Sequence, residues 1–179
     1  MSIINQALTN FLSGLGNYGI LGVVAGGMMS IDMGGPFNKA AYVTATGLLA
    51  SGNYILMAAV MASGMVPPLA IALSTTFFKN KWTEDERNAG LVNYIMGLSF
   101  ISEGAIQFAA NDPIHVIPSC VIGSAVAGGL SVAFDCQLRA PHGDVFVIAT
   151  VSNWSLYLLA IAAGSVVGCL ILSTLKKSK

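Results

Sequence analysis

Only 9% of the 179 residues are charged, against about 25% in soluble proteins, and 55% are hydrophobic. Eight basic side chains offset eight acidic ones, so the formal net charge is zero. Such a chain cannot coat a water-facing surface. It is too apolar to be disordered, and it lacks the basic excess of a nucleic-acid binder. It reads as an all-α polytopic membrane protein, with one membrane domain over residues 1–179. A span needs about 20 apolar residues, so the length allows about four transmembrane helices plus one or two re-entrant hairpins. No extramembrane catalytic domain fits. Cys120, Cys136 and Cys169 are scattered, without metal-ligand spacing, and read as small apolar fillers. No metal or cofactor is expected.

In chain order, residues 1–15 are expected to form a helix lying at the membrane interface, without the basic flank of a signal peptide. Residues 18–31 are apolar, Gly-rich and short for a full span. A polar turn, Asp32-Met33-Gly34-Gly35-Pro36-Phe37-Asn38-Lys39, interrupts them, and a weakly apolar stretch runs from Ala40 to Ala50. Tyr54 to Phe78 is a span broken by Pro67-Pro68. Residues 79–88 hold the densest charge and read as a cytoplasmic loop. Ala89 to Ala110 is apolar but carries Ser102-Glu103-Gly104 at its middle, Ile114 to Phe134 is a span, and Val145 to Leu175 is the last apolar run.

Lys79 and Lys81, and then Lys176, Lys177 and Lys179, place the loop and the C-terminus on the cytoplasmic side by the positive-inside rule. Three apolar stretches lie between these points, so they cannot all cross. The stretch 89–110, with its central Glu and Gly, is expected to enter and leave by one face. The same parity sends 54–78 inward and 18–31 outward, and leaves 32–50 as irregular backbone or a second hairpin. Broken segments survive in a membrane only where they are buried in protein or line a wet cavity. Two of them, each with acid and Gly, point to a transporter's midplane site.

Glu103 is the sharpest single feature, because a carboxylate at that depth is costly unless paired or neutralised. It reads as a hydrogen-bond acceptor for a bound ligand or as a base; the competing reading is a structural pair with a distant Lys. Gly34 and Gly35 let backbone approach a ligand, and Asn38 offers both donor and acceptor. Asp32 and Lys39 complete the cluster and can pair with each other. His142, at the mouth of a span, can donate and accept. Asn111 and Asp112 read as a helix cap before Pro113, and His115 as a plain helix-entry residue. Gly22-x-x-x-Gly26 and Gly164-x-x-x-Gly168 are close-packing motifs.

The run from Asp32 to Ala41 resembles the D-M-G-G-P-x-N-K-A-A stretch of the membrane (IIC) component of the bacterial fructose-family sugar phosphotransferase system. Met61–Leu69, Phe100–Pro113 and Ala140–Val147 resemble three further motifs of that family, in the same order. Gln107 stands where the family has Pro, which predicts a straighter hairpin after Glu103, and Asp144 stands where it has Gly. The resemblance covers the C-terminal half of a IIC component.

It implies a multi-pass protein of the bacterial cytoplasmic membrane that binds and translocates fructose or a similar sugar, coupled to phosphorylation by a phosphocysteine on a separate IIB protein. IIA and IIB phosphocarriers are the implied partners. A second membrane polypeptide supplying the N-terminal IIC half, and an oligomer, are expected with them. The start at Met1 and the interfacial helix favour a split subunit over a truncated remnant. Two other readings stand beside this one: an ion-coupled secondary transporter, and a non-transporting assembly subunit.

Overall fold

The computed structural model describes residues 16–176 together with Asn10 and Gly14. Apart from Asn10 and Gly14, the expected interfacial helix over 1–15 lies outside the described residues, as do the tail lysines Lys177 and Lys179. Seven helices are described: α1 (Tyr18–Ile31), α2 (Pro36–Ala50), α3 (Ile55–Phe77), α4 (Glu84–Leu98), α5 (Ile106–Asn111), α6 (Pro113–Ala133) and α7 (Trp154–Leu175). Three of them, α3, α6 and α7, are long and apolar enough to cross a membrane; α1 is apolar but has only 14 residues.

The centre of the bundle is α3, which is buried on every side from Leu56 to Pro68. It stays helical through Pro67 and Pro68. Proline has no N–H to give, so the carbonyl four residues earlier is left without its helical partner. For Pro67 that carbonyl belongs to Ser63, and Ser124 Oγ on α6 donates to it at 2.9 Å. Ser63 Oγ returns a bond to Ser124 O at 2.8 Å, and Ser30 on α1 joins through a 2.5 Å contact with Ser124 Oγ. Three helices are thus tied where a hydroxyl is worth most, away from water. The small-residue motifs do the rest: Gly22 and Gly26 bring α1 against Gly128 of α6, and Gly164 brings α7 against Gly123 of α6.

Two ends of the bundle are defined by contacts. At one, Tyr18 OH accepts from Asn53 Nδ2, and Leu138 N donates to Tyr54 O. At the other, Lys81 Nζ donates to Lys176 O, and Lys176 Nζ lies 3.9 Å from the centroid of Trp82. The Lys79–Lys81 segment and the end of α7 therefore share one end, as the parity argument requires. The chain passes along α3 toward it, along α6 away from it and along α7 back.

Two segments go in and come out by the same end. The first is α1, the turn 32–35 and α2. The sequence left 32–50 as irregular backbone or a hairpin; it is a hairpin, and residues 36–50 are regular helix. Pro36 starts α2 with its φ preset, and the Asp32 carboxylate accepts from Phe37 N (2.7 Å) and Asn38 N (3.1 Å). The second is α4, the turn 99–105 and α5. Its beginning and its end meet: the Trp82 and Phe108 rings pack edge to face at 5.6 Å.

Two segments differ from the sequence reading. The expected loop 79–88 is shorter. A 3₁₀ turn at Lys79–Lys81 leads into α4 at Glu84, because Thr83 and Glu86 form a reciprocal capping box and Glu84 and Asp85 suit the positive helix end. The apolar run 145–175 is also not one span. Asp144 accepts from Phe146 N and Val147 N and starts a 3₁₀ turn over Val145–Thr150. Strand β1 (Gln137–Leu138) pairs antiparallel with β2 (Val151–Ser152), and α7 begins only after Asn153. Local capping decided both boundaries, and hydropathy does not see caps.

Candidate functional site

Depth can be read from α3. Its 23 residues span about 34 Å at 1.5 Å per residue. Gly64 lies roughly 14 Å from the Ile55 end on the same scale. A Cβ at Gly64 would meet the Phe100 ring and the Met29 Cε methyl. Met29 is near the end of α1, and Phe100 opens the turn after α4. Both hairpin tips therefore reach the middle of the bundle, one from each end.

The tips touch there. Gly34 has φ +115°, a conformation L side chains rarely adopt, and a Cβ on it would lie 3.3 Å from Glu103 Oε1. Glu103 sits in the 3₁₀ turn Ser102–Ala105 and is exposed. No hydrogen bond or ion pair to it is found among the described residues, and the Lys partner of the competing reading is absent from them.

The other site residues divide. Asp32 is not paired with Lys39 as the sequence allowed; it caps α2, and Lys39 is exposed. Gly35 is the residue before α2, and a Cβ there would lie 2.5 Å from Asp32 Oδ2. Asn38 donates Nδ2 to Met29 O at 2.8 Å, which clamps the two arms of the first hairpin together. One amide proton of Asn38 is thus engaged within the fold.

The loop 139–150 brings the last element. A Cβ at Gly143 would lie 2.6 Å from Phe100 Cδ2 and 2.7 Å from Met61 Sδ, so only glycine lets the loop lie this close. Tyr42 OH on α2 donates to Pro141 O at 3.2 Å. His142 is held between these anchors, its side chain 65% exposed and its Nδ1 3.5 Å from Asp144 Oδ2. The Glu103 turn and the His142 loop thus meet at Phe100, which the sequence marked only as the first residue of a motif. A shallow groove beside the first turn, lined by Ile31, Asp32, Met33, Ile106 and Ile117, has mostly apolar walls and offers a sugar little to bond.

Asp112 stands at the N-cap position of α6, as expected, but its side chain makes no cap hydrogen bond. It bonds His115 Nδ1 at 2.6 Å and Lys176 Nζ at 3.4 Å. Burial works against its charge, but the His115 hydrogen bond and the Lys176 charge outweigh that and hold its carboxyl below the usual range. This cluster belongs to the lysine end of the bundle, away from Glu103.

No family model matches the chain, and no solved structure does. Curated proteins do. The fructose-specific EIIB'BC component of Rhodobacter capsulatus is 54% identical over 182 residues, 99% of this chain and 32% of that protein. The fructose permease IIC component of Bacillus amyloliquefaciens is 53% identical over 172 residues, 95% of this chain and 56% of that protein. A fructose-specific EIIC component of Haloferax volcanii is 44% identical over 98% of this chain and 48% of its own length.

The chain is a homologue of fructose-specific phosphotransferase permeases. It spans between about a third and about half of the curated relatives it matches. Similarity to these permeases agrees with the three membrane-length helices. The two departures noted from the fructose-permease pattern can now be placed. Position 107 is the second residue of α5, where the missing N–H of a proline would be tolerated. Asp144 starts the 3₁₀ turn and lies against His142.

Proposed function

We propose that this chain is a sugar-translocating subunit of a fructose-type phosphotransferase permease. The observation that carries this reading is the meeting of two hairpin tips at mid-depth, one bearing Gly34 and the other Glu103, which has no partner among the described residues. A carboxylate there accepts hydrogen bonds from sugar hydroxyls. It also takes up the proton of the hydroxyl that is phosphorylated. Asp32, Gly35 and Asn38 hold the first tip in place, Lys39 and His142 supply donors at its rim, and the phosphoryl group comes from a IIB protein charged by IIA. Glu103 is exposed in the single chain, so a second membrane polypeptide, the other half of the permease, closes the cavity. This chain would correspond to the C-terminal half, within an oligomer in the bacterial cytoplasmic membrane.

Uptake in membrane vesicles carrying the chain and its partners tests the reading. Fructose uptake that depends on phosphoenolpyruvate and delivers sugar phosphate is expected. Uptake driven by a proton gradient without phosphoenolpyruvate would instead make Glu103 the proton site of a secondary transporter. Assembly without uptake under either condition would leave a scaffold.

A further inference from the structure

Phe100 belongs to the turn that carries Glu103, and its ring reaches across to Gly143 in the His142 loop. It sits three residues before Glu103, and its ring fills the space left by the missing side chains of Gly64 on α3 and Gly143 in the His142 loop. Its backbone is left-handed, with φ +59°. A non-glycine residue is held there only when its surroundings over-determine it. The surroundings are on the page: Phe100 N donates to Gly97 O, Ile101 N donates to Met96 O, and the ring is packed against glycines on two sides. A side chain added at Gly143 would press on the ring, and a displaced ring loads the backbone that carries Glu103 three residues on.

We propose that Phe100 is a positioning residue that couples the His142–Gly143 loop to the Glu103 turn, so that the two move as one unit when the site opens or closes on a sugar. This rests on the functional reading above. The bound state then sets the carboxylate and the imidazole together. A substrate contact at either one is felt at the other through a packed ring, with no hydrogen bond between them.

The test uses the full chain, with Cys120, Cys136 and Cys169 replaced and a single cysteine placed by Glu103→Cys. A second version carries the cysteine by Asn80→Cys, at the far lysine end. The rate of labelling by a small water-soluble maleimide is measured for each in detergent. Gly143→Ala forces a Cβ toward the ring and is expected to change labelling at position 103 severalfold while leaving position 80 unchanged. Adding Phe100→Leu, which makes room, is expected to restore the rate. General loosening of the fold would raise both positions together.

Phe100→Leu alone, a milder change, is expected to move the rate at 103 as well, and it serves if Gly143→Ala fails to fold. Gly47→Ala, at a position with open space around it, is the inert control. Unchanged labelling at 103 in both Gly143→Ala and Phe100→Leu, or equal changes at 103 and 80, overturns the coupling. The functional reading falls on a different result, normal sugar phosphorylation by Glu103→Gln, so the two failures are told apart.

Discussion

Gly34 leaves room for the carboxylate of Glu103: a Cβ on Gly34 would stand 3.3 Å from Oε1. The same residue has φ +115°, so Gly34→Ala incurs a left-handed penalty of about 1–2 kcal/mol besides crowding the acid. A lower unfolding temperature and weaker sugar binding are expected together. Thermal unfolding in detergent and a fructose titration of the assembled permease measure both. An alanine variant with native sugar affinity would remove this contact from the site.

Glu103→Gln keeps shape and removes charge. No described residue pairs with the carboxylate, so insertion and assembly should be unaffected, while phosphorylation falls by at least about 100-fold, the usual scale for a lost general base. Comparison of membrane yield with sugar-phosphate production decides it. Poor assembly with normal specific activity would return Glu103 to a structural role.

The chain by itself should not transport. Glu103 and Lys39 are exposed in the single chain, and one hairpin pair gives only one wall of a cavity. Liposomes holding the purified chain with a phosphorylated IIB should take up no fructose until a second membrane polypeptide is added. Robust phosphorylation without it would show that this half is sufficient.

Sidedness follows from the shared lysine end. Cysteines at Asn80 and Asp85 should label only from the cytoplasmic side, and one at Arg139, at the opposite end of the bundle, only from outside. Trp82 is a poor reporter, because it is buried beneath Lys176. Labelling of Asn80 and Arg139 from the same side would break the crossing pattern of α3, α6 and α7.

Asp112 gives a pH prediction. Its carboxyl is held below the usual range in the fold. A depressed folded value adds stability that is present above the unfolded value and is lost as pH falls through the folded one. Asp112→Asn should therefore cost roughly 1–3 kcal/mol near neutrality, the scale of a buried donor left unsatisfied, since Lys176 is 6% exposed in its side chain. The gap between variant and parent should close as pH drops below about 4, the ordinary carboxylate value. A gap that persists at low pH would assign the effect to packing.

The sequence carried the long-range plan better than the local boundaries. Lysine placement and the acid at 103 were enough to derive a hairpin returning to its own end, and the Trp82–Phe108 contact agrees. Charge density misled at 84–88, where the acids open a helix, and hydropathy misled at 145–153, where Asp144 and Asn153 shape the chain. Within the site, Glu103, Gly34 and the His142 loop could be picked out as unusual residues for a membrane. That Asp32 caps α2 while Asn38 clamps α1 depends on side-chain geometry with no pattern in the sequence. Phe100 opened a motif, but its contacts were hidden for a related reason: an aromatic in an apolar run looks like core until its left-handed backbone is known.

The burial of α3 has a consequence for how the protein is made. Most of this helix touches protein, yet it is as apolar as a lipid-facing span. During synthesis it leaves the ribosome before α6 and α7 exist, and the Ser63 carbonyl freed by Pro67 has no Ser124 to receive. Until α6 arrives, the first hairpin covers part of it and lipid covers the rest. Its sequence thus serves two solvents in succession, first the bilayer and then the bundle. A polar substitution facing α6 or α7 would act at the insertion step, before the finished contact it disturbs has formed.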